Sequence, residues 1–74
     1  MKLFVSTALK AADIKNLLEN YNEDGVSYGF IKKNGLKMEF EVSGIEGQAA
    51  VDLTKKIVRS TEYGKVLFFS VSEF

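Results

Sequence analysis

A chain of 74 residues with neither histidine nor cysteine has few groups able to do chemistry. Those absences remove the commonest general base, the commonest zinc ligand and every thiolate. Carboxylates, lysines, hydroxyls and the phenols of Tyr21, Tyr28 and Tyr63 remain, and no two are spaced to work as an acid–base pair. Gly44-Ile45-Glu46-Gly47 could open a phosphate cradle, because helix starts present backbone N–H groups to anions. Glu46 would place a negative charge where the phosphate sits, and no P-loop lysine is present. Ser43-Gly44-Ile45-Glu46 is therefore read as a capping box. Asn20, Asn22, Glu23 and Asp24 precede Gly25 without the spacing of a calcium loop, and are read as a solvated helix end. The expectation is a protein without catalytic residues, cofactor or metal.

Composition agrees with a small folded domain. Apolar residues make up 46% and charged residues 27%, an ordinary globular balance. Ten basic residues cancel ten acidic ones, whereas a nucleic-acid grip normally carries a basic excess. Lys10 interrupts the apolar start MKLFVSTALK, which is too short for a signal peptide core. No apolar run approaches the roughly 18 residues of a membrane span. One domain over residues 1–74, with no membrane association and a cytoplasmic location, is expected.

The hydrophobic period changes along the chain and marks six elements. Lys2 to Ser6 alternate as a strand, with Leu3 and Val5 on one side and Phe4 on the other. Ile14, Leu17, Leu18 and Tyr21 then form a helical stripe, with Ser6 or Thr7 as its cap and Gly25 as its stop. Two strands follow, Val26 to Lys33 and Leu36 to Ser43. A second helix turns Ala50, Leu53, Ile57 and Val58 inward and stops at Gly64. A last strand spans Lys65 to Phe74. This β-α-β-β-α-β order predicts a ferredoxin-like α+β fold. It has a four-stranded antiparallel sheet of order 4-1-3-2, two helices on one face and the other face open.

Tyr28 and Phe30 face opposite ways under two hairpin registers, since a one-residue slip turns every side chain over. A type I′ loop at Asn34-Gly35 pairs Lys33 with Leu36 and leaves both aromatics outside. A three-residue loop, Lys33-Asn34-Gly35, pairs Lys32 with Leu36 and Phe30 with Met38, and turns both inward. Burying a Phe or Val contributes about 1.5–3 kcal/mol, against about 1 kcal/mol of local preference. The inward arrangement is expected.

Two short segments resemble the RNA-recognition motif family. Lys2-Leu3-Phe4-Val5 is similar to the family's first-strand signature, with Phe4 in the base-stacking position, and Tyr28-Gly29-Phe30-Ile31 is similar to the core of the second. The resemblance covers under a dozen residues and implies single-stranded RNA binding on the open face. Lys32, Lys33 and Lys37 at the hairpin tip would then contact phosphates. The second signature, however, falls on the second strand, and the third offers Glu39 and Glu41 to the open face. Solubilising an edge hairpin is the simpler role for those lysines. Acylphosphatase-type enzymes use a related topology with an arginine in a phosphate loop, whereas Arg59 lies in a helix. Small-molecule-sensing regulatory domains share this fold class, but their glycine-containing first loop is replaced by Ser6-Thr7-Ala8-Leu9.

The open face should carry Phe4 beside Phe68, with Val66 and Phe74 extending them into one apolar strip. Such strips mark association surfaces, and the fourth strand is an edge with little charge. The expected function is a non-catalytic interaction module that binds a second copy or another protein through Phe4, Val66, Phe68 and Phe74. Small-molecule sensing and weak RNA binding are the alternatives.

Overall fold

The computed structural model of the chain describes residues 1–73. Seven elements succeed one another: β1 (Lys2–Thr7), α1 (Ala11–Glu19), β2 (Asn22–Glu23), β3 (Val26–Asn34), β4 (Lys37–Ser43), α2 (Gly47–Arg59) and β5 (Phe69–Glu73), with a 3₁₀ turn at Tyr63–Lys65 before the last strand. The strands form one curled, half-barrel sheet of order β2-β3-β4-β1-β5, antiparallel throughout. The four-stranded ferredoxin-like sheet of order 4-1-3-2 is thereby corrected to a five-stranded one.

Two local features account for the difference. Asp24 and Gly25 both take positive φ, 54° and 77°, as a type I′ turn requires. They fold Asn22-Glu23 back onto Ser27 and Val26 as an added strand, so Gly25 closes a hairpin rather than α1. The second feature is a bulge between Phe30 and Lys32. An extra residue on one strand bends it and raises the local twist, which a flat four-stranded layer lacks.

The hairpin adopts neither expected register. Asn34 pairs with Lys37, leaving Gly35-Leu36 as a two-residue loop. Gly35 has φ 65°, and Leu36 is not among the positive-φ residues. That suits a turn needing glycine only at its first central position, and excludes type I′. The bulge at Ile31 absorbs the extra residue, so Phe30 opposes Phe40 and Tyr28 opposes Val42. Tyr28 is buried, with its hydroxyl 2.8 Å from Thr54 Oγ1 on α2. Phe30 packs edge-on against Phe40 with ring centroids 5.6 Å apart. Both aromatics therefore face the helices, in a register that keeps the tight turn as well.

Helix α1 lies against β3 and α2 against β5, and the two helices touch. Between helices and sheet sit Leu3, Val5, Ile14, Leu18, Met38, Phe40, Val42 and Val58, all essentially inaccessible. Both expected helix caps are absent. Thr7 Oγ1 donates to the Leu9 carbonyl at 2.6 Å instead, and α1 begins after Lys10, which takes φ 62°. Ser43 ends β4 opposite Ser27, and the residue before α2 is Glu46, with no side-chain cap bond. Gly64 lies in the 3₁₀ turn, and α2 stops earlier at Arg59. No helix among the described residues is long and apolar enough to cross a membrane.

Candidate functional site

Among the described residues of the expected apolar strip, Phe4 and Phe68 do not adjoin. β5 begins at Phe69, so Val66 and Phe68 precede the strand. On the open face Phe4 lies opposite Ser72, and Ser6 opposite Ser70. These serines separate Phe4 from Phe68. Phe4 is half-buried, whereas Phe68 is 96% exposed and Val66 86%. Phe74 lies outside the described residues. Among the described residues, Phe4 and Phe68 thus belong to two separate features, a cup around Phe4 and an apolar end around Phe68.

The cup is built by β1, β3 and β4. Phe4, Lys32, Asn34, Lys37 and Glu39 line a concavity of about 170 Å³, with the Lys37 ammonium 4.7 Å from the Phe4 ring centroid. The bulge brings Lys32 and Asn34 here, because beyond it Lys32 opposes Glu39 and Asn34 opposes Lys37. Lys33 opposes the core residue Met38 and so lies on the other face. The predicted basic cluster is split, with two lysines at Phe4 and one behind.

Both carboxylates that the third strand was expected to offer to this face, Glu39 and Glu41, are compensated. Glu39 is nearly buried, and Lys2 Nζ stands 3.7 Å from its carboxylate. Glu41 accepts a 2.9 Å hydrogen bond from the Met1 amine. That bond, with the positive charge behind it, holds the Glu41 carboxyl below its ordinary value of 4.5. The roles of Lys2 and Asn34 were hidden in the sequence, since they depend on cross-strand register and on the bulge.

At the apolar end, Leu36 on the hairpin tip is 59% exposed. Together with Ser6, Thr7, Ala8, Phe68, Phe69 and Ser70 it lines a shallow cleft of about 310 Å³. Leu36 was expected within a strand; the Gly35-Leu36 loop puts it outside instead. Beside the cleft runs the free edge of the sheet. Thr7 N–H donates to Leu36 O at 3.0 Å, and Val42 N–H donates to Met1 O at 2.7 Å. The odd-numbered residues of β1 therefore turn their backbone groups toward β4, and Phe4 and Ser6 turn theirs toward Ser72 and Ser70 of β5. By strand alternation, the N–H and C=O groups of Phe69, Val71 and Glu73 point away from the sheet. The Arg59 guanidinium packs 5.7 Å from the centre of the Phe69 ring on the helix side of this edge.

Among the described residues no three acidic side chains gather closely enough to hold a metal ion. Asn22 and Glu23, read in the sequence as part of a helix end, belong to the β2–β3 hairpin. No protein-family model, curated protein or solved structure matches this chain.

Proposed function

We propose that this protein is a self-associating interaction module whose working surface is the outer edge of β5. The contrast between the two edges of the sheet carries the proposal. The opposite edge is capped at one end by β2, broken by the bulge at Ile31, and lined by Lys32 and Lys33. Those are the devices that keep an edge strand from pairing. β5 has none of them: its sequence is Phe69-Ser70-Val71-Ser72-Glu73, without lysine, proline or bulge. Phe68, almost wholly exposed, stands at its start. A second copy that adds its own strand would satisfy the outward groups and cover that ring. Sedimentation equilibrium from micromolar to millimolar concentration tests this. A dimer is expected, and Phe68→Glu should weaken it by tenfold or more, in proportion to about 1.5–3 kcal/mol of lost aromatic burial. A monomer throughout, with no change in Phe68→Glu, would overturn the proposal.

A second reading has one specific observation behind it. Lys32, Asn34 and Lys37 converge on the half-buried Phe4 in one concavity, while Glu39 and Glu41 are each engaged by a cation. An aromatic face flanked by ammonium groups suits a stacked base with its phosphate. An NMR titration with a short single-stranded RNA would shift resonances of Phe4, Lys32 and Lys37, with a steep loss of binding as salt rises. Unmoved spectra would remove this alternative.

A further inference from the structure

The β5 edge carries enough geometry to specify how two copies would meet. In an antiparallel pair, outward-pointing residues must face outward-pointing residues, so Phe69, Val71 and Glu73 can only oppose one another. Registers that place Phe69 opposite Val71, or Val71 opposite Glu73, leave one residue of the strand with unmatched backbone groups. Placing Val71 opposite Val71 of the second copy matches all three, with Phe69 facing the second copy's Glu73 at both ends. That register is also the self-complementary one about a two-fold axis through Val71, the commonest symmetry of soluble oligomers.

The side chains support the same register. Phe69 and Glu73 share the helix-facing side of the sheet with their β1 partners Thr7 and Leu3. Arg59, at the last turn of α2, rests its guanidinium on the Phe69 ring. Among the described residues neither Arg59 nor Glu73 forms an ion pair within its own chain. Residues opposite each other in a hydrogen-bonded antiparallel pair lie about 5.5 Å apart at Cα. The second copy's Glu73 carboxylate, set beside Phe69, then comes within reach of Arg59. We infer that this chain forms a two-fold dimer by pairing β5 with β5 about Val71, closed by reciprocal Arg59–Glu73 ion pairs between the copies. The inference rests on the self-association proposed above and adds its register and charge code.

A charge swap tests it on the full chain. Sedimentation equilibrium would be run on wild type, Arg59→Glu, Glu73→Lys and the double variant Arg59→Glu/Glu73→Lys, with thermal melts to show that each is folded. Each single variant juxtaposes like charges and should raise the dimer dissociation constant by about tenfold or more, while the double variant restores it to within about threefold. Single variants that dimerise like wild type, or a double variant that stays weak, overturn this register while leaving self-association standing. A wild-type chain that is monomeric throughout overturns both.

Discussion

At the scale of single residues, the buried Tyr28–Thr54 pair has a direction. Thr54 Oγ1 donates to the Ala50 carbonyl at 2.8 Å, and a hydroxyl has one proton, so Tyr28 is the donor in the 2.8 Å contact between them. Tyr28→Phe then removes one hydrogen bond but leaves Thr54 its donor bond, and should cost about 1 kcal/mol. Thr54→Val leaves a buried phenol without an acceptor and should cost more, about 1–3 kcal/mol. Urea unfolding of the two variants checks the order, and equal losses would contradict the assignment. Burial raises the Tyr28 phenol above its ordinary 10.0. A pKa raised by folding contributes stability that is present below pH 10 and lost as pH climbs through the folded value. Tyr28→Phe should therefore soften alkaline unfolding without abolishing it, since burial and the charges of Glu23 and Asp24 raise the Tyr21 phenol too. Glu41 behaves in the opposite sense. Its carboxyl is lowered by the Met1 amine, so its contribution exists above 4.5 and fades as pH drops through the folded value. In Glu41→Gln that portion of the acid sensitivity should be missing from a pH series of melts.

Among the elements, positions held by hydrophobic alternation were legible in the sequence, and positions decided by backbone geometry were not. Leu3, Val5, Met38, Phe40 and Val42 are buried as their period-two spacing predicts. Asp24-Gly25 was read as a helix stop because a two-residue strand has no period to detect, although that dipeptide is itself a hairpin signal. The bulge at Ile31 was invisible because the choice between turn types hid a third solution with an extra residue. The two helix caps were inferred from residue type and, at Ser43-Gly44-Ile45-Glu46, from capping-box spacing, and neither formed. Two substitutions probe these backbone decisions. Gly44 has φ 89°, and a methyl there would collide with the Gly25 carbonyl that the β2–β3 turn presents. Gly44→Ala should cost about 2 kcal/mol or more, a strained φ plus a backbone shift. Lys10 sits at φ 62° as the residue before α1, where an L side chain costs about 1–2 kcal/mol. Lys10→Gly should recover up to about 1 kcal/mol of that, net of the greater freedom of glycine in the unfolded chain. A lower midpoint for Lys10→Gly in urea would mean that the 4.0 Å contact between Lys10 and Asp13 outweighs the strain.

For the whole molecule, the two unlike edges set how far association can run. Ten basic and ten acidic residues leave no net charge to keep copies apart, so the edges themselves must limit growth. The proposed pairing of β5 with β5 would consume the unguarded edge of both copies and leave a ten-stranded sheet bounded at each end by the guarded β2–β3 side. The bulge after Phe30 bends that edge away, and Lys32 and Lys33 charge it. A strand arriving there meets two ammonium groups and a broken ladder, so assembly should close at two copies rather than extend as a filament. Light scattering should reach a plateau at twice the chain mass as concentration rises, and the melting temperature should rise with concentration, because the proposed dimer would form from the folded chain alone. Replacing the guard by Lys32→Val/Lys33→Thr should release further growth at the β3 edge and bring on turbidity at concentrations where wild type stays clear. If wild type itself grows past two copies, the β3 edge is not a barrier; if the double variant stays at two, the lysines are not what stops it.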